Sequence, residues 1–588
     1  MRNGEMMKTT LFGKIRKWGA IALTAAIGML MIGTSIRAQN ATTANAQTFE
    51  NGGFTVNWST ETGVLDKTVA SDATETYKES DRQWLGLPTI ARTANGRLWC
   101  AFQTGDEEEG SAGTNNYDVM YYSDDDGKTW SEEYVIFDVA DESVRLTDPR
   151  LFVDADGTFW IVLIRGGGNG TYAIEMENPD CADPSENLVF KEPIWWLTYP
   201  PAHRPTILSN GVWTTPVEAN VKNQSTYVCR PDKANGTYIW REITSSDGKA
   251  TTGYPSNKPY GEAQIVELKD CRLMMLSRLP KGYGNGLEIS YSDDLGVTWT
   301  AYESGFELPY AGPSSKFHIQ RLESGNLLLI NHDSLTSRTN LTAWLSEDDG
   351  KTWPYKLLLD DRQINGFWGV SYPEAAAQQG ENGEIYIVYD AGRYDQKEIR
   401  LCVVTEQDIK AGEPVSVYCR MRDTVVKTGG YTDLVSVSEE TSYDRYRYVE
   451  KGTAKQTVVS SLPASVQVTD EAGVSYTLTG EWKTSDYNAN ETGRYTFTFE
   501  TSDLPSDRQD GLGLLRVYVG VGLDDPKLAV DTDTPADGNG TDGNDGKNDS
   551  EVDDGGNGCN GSIGGGIVGI GTLATAAFAV ERKKKNKK

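Results

Sequence analysis

Ser123-Asp124-Asp125-Asp126-Gly127-Lys128-Thr129-Trp130 is the stretch that decides the fold, because its pattern occurs three times in the chain. The other two copies are Ser292-Asp293-Asp294-Leu295-Gly296-Val297-Thr298-Trp299 and Ser346-Glu347-Asp348-Asp349-Gly350-Lys351-Thr352-Trp353. In the shared pattern Ser-x-Asp-x-Gly-x-Thr-Trp, the aspartate can accept hydrogen bonds from nearby backbone N–H groups, and the glycine permits a positive φ. Thr-Trp can then start the next strand with a large apolar anchor. The motif predicts a hairpin turn with a structural rather than a catalytic role.

Short apolar runs separated by turn residues fill the chain from about residue 81 to about residue 410, without a long segment of helical period. Two of the turns begin 54 residues apart, at Ser292 and Ser346. This spacing suits one four-stranded blade, and roughly 330 residues at about 55 per blade make about six blades. The sequence therefore predicts an all-β fold with a six-bladed β-propeller over residues 80–412. Asp232–Trp240 is a candidate for a degenerate fourth turn.

A second folded part is predicted over residues 425–522. It has alternating strand patterns around Trp482, which are typical of a small β-sandwich, and it resembles bacterial immunoglobulin-like domains. A spacer role is the favoured interpretation, and carbohydrate binding is the alternative.

Composition excludes several classes of function. The 588 residues carry a formal net charge of −29, which argues against a nucleic-acid partner, because phosphate contact needs clustered lysine and arginine. The seven cysteines are scattered without a Cys-x-x-Cys pair, so a zinc site is not expected, and their odd number leaves at least one free thiol. No cofactor or metal is predicted; calcium could sit in acidic loops, but no spacing demands it.

Both ends of the chain carry targeting signals. Residues 1–46 read as a signal peptide, with a permanent N-terminal anchor as the alternative. Residues 531–562 read as a disordered acidic linker, 563–580 as a transmembrane anchor and 581–588 as a basic cytoplasmic tail. This layout resembles surface proteins of Gram-positive bacteria, although no Leu-Pro-x-Thr-Gly motif is present. We expect an extracellular protein anchored at the bacterial cell surface; the oligomeric state stays open, with a monomer favoured.

The repeated turn resembles the Asp-box of the sialidase superfamily, whose fold is a six-bladed β-propeller. The resemblance covers over half of the chain and is more specific for fold than for function. Sialidases use a tyrosine nucleophile assisted by a glutamate, a separate carboxylic acid/base, and three arginines that bind the substrate carboxylate. A neutral phenol suits this chemistry because the anomeric carbon carries a carboxylate that repels an anionic nucleophile, and arginine binds a carboxylate through two parallel hydrogen bonds.

The resemblance can be carried over onto particular residues, whose order and approximate spacing agree with the family pattern. The residues that match are Tyr372 as nucleophile, Glu262 as the assisting glutamate, Arg278 and Arg338 as the second and third arginines, and Asp390 where the family has a glutamate that braces an arginine.

Two positions depart from the pattern. The first arginine of the family precedes Ile-Pro, but here Gly86 precedes Leu-Pro. The three arginines that bind the substrate carboxylate, which we call the carboxylate clamp and its arms, are therefore one short unless Arg82, Arg92 or Arg150 replaces the missing arm. Asp148-Pro149-Arg150 is open as a site segment or a strand-end turn, and Arg150 is our candidate substrate ligand. The acid/base lies in the loop that begins at Thr104; Glu109 is favoured, with Asp106, Glu108 and Asp118 open.

These residues predict a retaining exo-glycosidase that removes a terminal sialic acid or a related acidic sugar from glycoproteins or polysaccharides. Two alternatives stay open. The same propeller could act on another sugar, as a glycosidase or as a uronate polysaccharide lyase that uses His203-Arg204 together with Tyr372. The chain could also be a non-catalytic glycan-binding surface protein.

Overall fold

The computed structural model describes most of the chain between residues 46 and 522. It leaves out residues 1–45, 61–62, 65–76, 80–81, 106–108, 110–115, 140–143, 167–169, 221–222, 244–261, 280–285, 301–302, 305–308, 336, 363–368, 431, 485–486, 506–507, 511–512 and 523–588. The predicted signal peptide, acidic linker, membrane anchor and basic tail fall outside the described residues, except for Ala46. Within the described part of the chain, no helix has the length and apolar character needed to cross a membrane.

Strands dominate the fold, and consecutive strands pair antiparallel to form six four-stranded sheets, which we call blades 1 to 6. Three N-terminal strands, β1 (Ala46–Thr48), β2 (Phe54–Thr60) and β3 (Gly63–Val64), precede them, and β2 pairs with the outermost strand of blade 1. Blades 1 and 2 are β4 (Trp84–Arg92), β5 (Leu98–Gly105), β6 (Asn116–Ser123) and β7 (Tyr134–Val139), then β8 (Leu146–Val153), β9 (Phe159–Arg165), β10 (Thr171–Met176) and β11 (Ile194–Leu197).

The remaining four blades follow the same order. Blade 3 is β12 (Thr206–Ile207), β13 (Trp213–Asn220), β14 (Asn223–Cys229) and β15 (Trp240–Glu242), and blade 4 is β16 (Ala263–Glu267), β17 (Leu273–Arg278), β18 (Leu287–Ser292) and β19 (Glu303–Ser304). Blade 5 is β20 (His318–Arg321), β21 (Leu327–His332), β22 (Leu341–Ser346) and β23 (Tyr355–Asp360), and blade 6 is β24 (Val370–Ala375), β25 (Ile385–Ala391), β26 (Glu398–Val404) and β27 (Arg420–Lys427). Helices in the described residues are short: α1 (Pro184–Asn187), α2 (Glu406–Ala411) and α3 (Lys455–Ser460).

Apolar layers between neighbouring blades close the six sheets into a ring. Strand β9 shows why, because its side chains alternate: Ile161 packs towards blade 1, whereas Trp160 and Val162 pack towards blade 3. Each of the six neighbouring pairs shares such a buried cluster, including blades 6 and 1, where Val388 meets Leu85. A six-bladed propeller, as the sequence predicts, is therefore the observed architecture.

The three repeated turns connect the third and fourth strands of blades 1, 4 and 5. In the first turn, Ser123 Oγ accepts a hydrogen bond from Gly127 N at 2.9 Å, and Asp125 accepts from Thr129 N at 2.9 Å and from Thr129 Oγ1 at 2.7 Å. Gly127 has a φ of 81°. The other two copies repeat the same bonds. The capping aspartate and the left-handed glycine inferred from the motif are thus confirmed. Asp232–Trp240 occupies the equivalent connection of blade 3.

The C-terminal strands form a further unit after the propeller. They are β28 (Thr432–Val437), β29 (Tyr446–Val449), β30 (Ser465–Asp470), β31 (Ser475–Lys483), β32 (Gly493–Thr501), β33 (Arg508–Gln509) and β34 (Arg516–Val521). The first half of β31 pairs with β30 and its second half with β32, so the strand joins two groups of strands around one core that includes Trp482. Immunoglobulin-like character stays a prediction. Blade 6 reaches Lys427, beyond 412, because Val425 and Val426 pack against blade 1.

Charged contacts fix the C-terminal unit to the propeller, and Asp361 is at their centre. Its carboxylate pairs with Arg422 Nη2 at 2.9 Å and accepts a hydrogen bond from the Tyr518 hydroxyl, and its carbonyl oxygen accepts from Arg516 Nη1 at 2.7 Å. Although burial opposes ionisation, Arg422 and two further arginines lower the pKa of Asp361 to about 2.

We expect Asp361→Asn to lower the free energy of unfolding at neutral pH by about 2 kcal/mol or more, because it removes the buried anion that Arg422, Arg445 and Arg516 share. The folded pKa lies below the ordinary value of about 3.9, so the stabilisation is complete above about pH 4 and is lost as the pH falls towards 2. The free energy of unfolding, measured with urea between pH 2 and 7, should therefore fall less towards acid pH in the variant than in the wild type. Asp293→Asn, at a side chain that is 82% exposed, is the matched control. The same fall at acid pH in Asp361→Asn as in the wild type would contradict the assignment.

Candidate active site

Three innermost strands are interrupted in the same way at one end of the propeller. Leu87, Asp148 and Tyr372 have φ values of 60°, 50° and 54°, each precedes a proline, and each lies at a break in the register with the neighbouring strand. Proline cannot donate to the sheet, and left-handed φ is rare and costly for these residue types, so such bulges are over-represented where a side chain must be aimed at a site. Blades 1, 2 and 6 therefore present special side chains at the same end.

Tyr372 and Glu262 meet at this end through Arg278. The Nη1 atom of Arg278 donates to Glu262 Oε2 at 2.6 Å and to the Tyr372 hydroxyl at 2.9 Å. Arg278 is the last residue of β17 and Glu262 directly precedes β16, and the backbone N–H of Arg278 donates to the Glu262 carbonyl at 2.9 Å. The antiparallel pairing of two strands in blade 4 thus brings the carboxylate to the phenol of blade 6.

Tyr372 is kept in its neutral form. Its side chain is 6% exposed, and burial raises the pKa of its phenol. The carboxylate of Glu262 raises this pKa as well, whereas Arg278, Arg393 and Arg338 oppose the shift. At neutral pH the hydroxyl therefore keeps its proton until a neighbouring base removes it.

Three guanidinium groups surround the ring of Tyr372. Their Cζ atoms lie 5.7 Å (Arg278), 5.2 Å (Arg338) and 4.1 Å (Arg393) from its centroid. Arg338 lies between β21 and β22 and donates to the Ser314 carbonyl at 2.9 Å. Fixed guanidinium forks at one aromatic side chain create an environment suited to an anionic ligand.

Asp390 holds one of these arginines in place through an ion pair. Its Oδ2 atom accepts from Arg393 Nε at 3.0 Å and from Leu87 N at 3.0 Å, and its Oδ1 atom accepts from Ser371 Oγ at 2.6 Å. Asp390 is fully buried, so it positions other groups rather than contacting a ligand itself. The arginine it braces is Arg393, three residues further along the chain.

Glu109, the favoured acid/base, also lies at this site. Its carboxylate pairs with Arg393 Nη1, and its backbone N–H donates to the Tyr394 hydroxyl at 3.1 Å. Burial raises the pKa of Glu109, although Arg393 opposes the shift. Asp106 and Glu108 lie outside the described residues. Asp118 is within strand β6 and fully buried, which keeps it from a substrate.

Arg150 occupies a different place from the one expected of a substrate ligand. Its side chain is 2% exposed, and its guanidinium donates to Asp148 Oδ1 at 3.1 Å and to the Pro149 carbonyl at 2.8 Å. Arg82 packs against aromatic rings of blade 1, and Arg92 donates to the Gln379 carbonyl. None of the three arginines considered as a replacement for the missing arm is among the guanidinium groups around Tyr372.

His203 is likewise placed apart from Tyr372. Its ring packs against Phe317 with 5.6 Å between centroids, and its charged neighbours are Lys316, Arg150, His318 and Arg204. Burial lowers the pKa of His203 well below its ordinary value. The geometry gives no support to a His203–Tyr372 pair. Among the described residues, no group of three or more histidine, cysteine, aspartate or glutamate side chains could hold a metal ion.

Arg393 is the site residue that the sequence interpretation missed. It directly follows β25 and Gly392, whose φ of 54° turns the chain back towards blade 1, where the Arg393 carbonyl accepts from Leu85 N at 3.1 Å. A glycine within a strand is a known sign of a close approach by another group. Gly86, at the position of the missing arginine, was therefore the available signal.

A comparison with known protein families agrees with this fold. Residues 137–387 match the family described as BNR repeat-like domain. No curated protein sequence matches the chain.

Among solved structures, the chain resembles a Hadza microbial sialidase with 18% identity and a TM-score of 0.39, covering 54% of this chain and 65% of that one, which is less than two thirds of its length. It also resembles the intramolecular trans-sialidase from Ruminococcus gnavus, with 12% identity, a TM-score of 0.42 and coverages of 56% and 96%. An α-L-arabinanase from Penicillium chrysogenum has 13% identity, a TM-score of 0.37 and coverages of 56% and 96%. The match over residues 137–387 includes the second and third Asp-box turns, at Ser292 and Ser346, and agrees with them.

Proposed function

We propose that the protein is a retaining exo-glycosidase of sialidase type, which removes a terminal sugar that carries a carboxylate on its anomeric carbon. One observation carries this proposal: Arg278 Nη1 holds both the Tyr372 hydroxyl and the Glu262 carboxylate, while three guanidinium groups surround the same tyrosine ring. A neutral phenol beside a carboxylate is a nucleophile with its base, and the guanidinium groups supply the counter-charge for an anionic sugar.

The first chemical step follows from this arrangement. Tyr372 Oη attacks the anomeric carbon, the bond from that carbon to the leaving oxygen breaks, and the phenolic proton passes to Glu262. Glu109 gives its proton to the leaving oxygen, which departs as an alcohol. A covalent glycosyl–tyrosine results, with the configuration at the anomeric carbon inverted once.

The second step reverses these roles. Water attacks the anomeric carbon, its proton passes to Glu109, and the bond between the sugar and Tyr372 breaks as Glu262 returns the proton to the phenolic oxygen. The configuration is inverted a second time, so the outcome is retention. Burial raises the pKa of Glu109, which favours the protonated acid, whereas its contact with Arg393 opposes this shift.

Activity should fall at alkaline pH, where the phenol of Tyr372 ionises. Its raised pKa keeps the nucleophile protonated at neutral pH in the absence of substrate. An anionic phenolate would repel the sugar carboxylate and would pair with the arginines that the substrate needs. The site therefore favours attack that is coupled to proton transfer over attack by a preformed phenolate.

Product analysis tests the substrate class. The purified protein is incubated with a sialylated glycoprotein, and the released sugars are identified by mass spectrometry. We expect free sialic acid or a closely related 2-keto acid sugar. Release of a neutral pentose or hexose alone would overturn the proposed substrate class, and an unsaturated uronate product would indicate a lyase.

A further inference from the structure

The side chain of Arg393 fills the space that a side chain at position 86 would need. A Cβ atom on Gly86 would lie 2.8 Å from Arg393 Nε and 3.0 Å from its Cδ, which is closer than such contacts allow. The side chain of Arg393 therefore crosses the backbone at the position where a side chain of residue 86 would begin. Glycine at this position permits an arginine to enter from blade 6 instead of blade 1.

Buried contacts hold Arg393 in this place. Its Nε and Nη2 atoms pair with Asp390 Oδ2 at 3.0 and 2.9 Å, and its guanidinium lies 4.1 Å from the ring centroid of Tyr372. These two contacts to one carboxylate oxygen restrain the guanidinium group more than a single contact would. The remaining terminal nitrogen, Nη1, is the atom bound by Glu109.

Glu109 covers this nitrogen with a carboxylate. Arg393 is completely buried, whereas the Glu109 side chain is 22% exposed and lies on the solvent side of the ion pair. A carboxylate bound to a terminal guanidinium nitrogen beside the nucleophile is the contact that an anomeric carboxylate would make.

We propose that Arg393 is the displaced third arm of the carboxylate clamp, and that Glu109 occupies the place of the substrate's carboxylate on it until the substrate takes that place. The proposal rests on the proposed function. The exchange releases Glu109 from its arginine at the moment when a proton donor is needed. The carboxylate of the incoming sugar thereby replaces the carboxylate of Glu109 on Arg393, and Glu109 can then take up a proton and act as the acid.

Substitutions at positions 393 and 86 test the displaced arm. We expect Arg393→Met to lower kcat/KM on a fluorogenic α-glycoside of N-acetylneuraminic acid about a hundredfold, as loss of a charged hydrogen-bonded contact does. Arg393→Lys should recover little, because an ammonium cannot make the paired contact. The double variant Gly86→Arg, Arg393→Ala places an arginine on blade 1 in the vacated space and should recover at least about tenfold over Arg393→Ala.

Arg272→Met is the matched control, because Arg272 is 40% exposed on blade 4 and should leave kcat/KM unchanged. An Arg393→Met variant with the wild-type kcat/KM would overturn the displaced arm while leaving the proposed function intact. A double variant Gly86→Arg, Arg393→Ala that is no more active than Arg393→Ala would also overturn the displaced arm, because that result would indicate a purely structural role for Arg393. A wild-type protein that neither cleaves nor binds any carboxylated sugar would overturn the proposed function and this inference together.

Glu109→Gln tests the exchange through binding alone. The probe is the unsaturated analogue 2-deoxy-2,3-didehydro-N-acetylneuraminic acid, measured by calorimetry in buffers of different ionisation enthalpy. Wild-type protein should take up a proton on binding, since Glu109 loses the arginine that opposes its protonation. Glu109→Gln should abolish this uptake and bind the analogue about tenfold more tightly, because the competing carboxylate is gone, while kcat on the fluorogenic substrate falls.

Glu175→Gln, on the surface of blade 2, is the control. Unchanged proton uptake or weaker binding in Glu109→Gln would overturn the exchange.

Discussion

Tyr372→Phe should lower kcat on a fluorogenic sialoside by at least about a thousandfold, because it removes the only oxygen of the side chain that can attack the anomeric carbon. The substitution keeps the ring, and therefore its contacts with the three guanidinium groups around it. Affinity for the unsaturated analogue should change by less than about tenfold. The measurement is steady-state kinetics together with calorimetric binding.

Tyr355→Phe is the control for this substitution. Tyr355 lies at the start of the outer strand of blade 5 and contacts Lys410 rather than the site. Its kcat should match the wild type. Turnover of the Tyr372→Phe variant at the wild-type rate would show that another group attacks the sugar, and the mechanism would have to be abandoned.

Glu262→Gln should have the second-largest effect, a loss of about a hundredfold to ten-thousandfold in kcat, since the amide cannot accept the phenolic proton. The side chain keeps its shape, and its oxygen can still accept the 2.6 Å hydrogen bond from Arg278 Nη1. The site should therefore stay assembled without its base. Kinetics across a range of leaving groups give a clear readout, because formation of the bond to tyrosine should become limiting even with very good leaving groups.

Glu267→Gln offers a control on the same strand, because Glu267 binds the Ser209 hydroxyl and backbone N–H at the opposite end of the innermost strand of blade 4. That variant should retain full activity. A Glu262→Gln protein with more than about a tenth of the wild-type kcat would assign the base to a different residue.

The fold was predictable because its determinants are local in sequence. Each Asp-box holds its own turn through bonds within seven residues, as between Ser123, Asp125 and Thr129. The propeller strands read as strands because both of their faces are buried; alternate residues of β9, for example, pack on opposite neighbouring blades. The N-terminal strands that extend blade 1 gave no such signal: β1 and β3 are only three and two residues long, and no turn motif marks them.

Part of the site was also predictable from family order. Tyr372, Glu262, Arg278 and Arg338 occupy positions with a fixed order along the chain, and the structure brings them together. Arg150 fitted the same reasoning only by residue type. Its guanidinium donates to the Pro149 carbonyl, and its side chain is 2% exposed.

Arg393 shows where sequence reasoning fails for a physical reason. A linear comparison registers a missing arginine at Gly86, but it cannot show that a side chain from the last blade of the propeller fills the same volume. Gly86 and Arg393 are 307 residues apart in the sequence and are brought together by the packing of blade 6 against blade 1. The bulges at Leu87, Asp148 and Tyr372 are similar, because a left-handed residue before proline is set by the register of neighbouring strands.

The most direct test of the central claim is to trap the covalent intermediate. A 2,3-difluoro derivative of N-acetylneuraminic acid forms the bond to the nucleophile faster than the bond is hydrolysed, so the adduct accumulates, and proteolysis with tandem mass spectrometry locates it. We predict one added fluorosugar on the peptide that contains Tyr372, with none on the Tyr372→Phe protein. An adduct on a carboxylate such as Glu262, or on the same peptide of the Tyr372→Phe variant, would contradict tyrosine as the nucleophile.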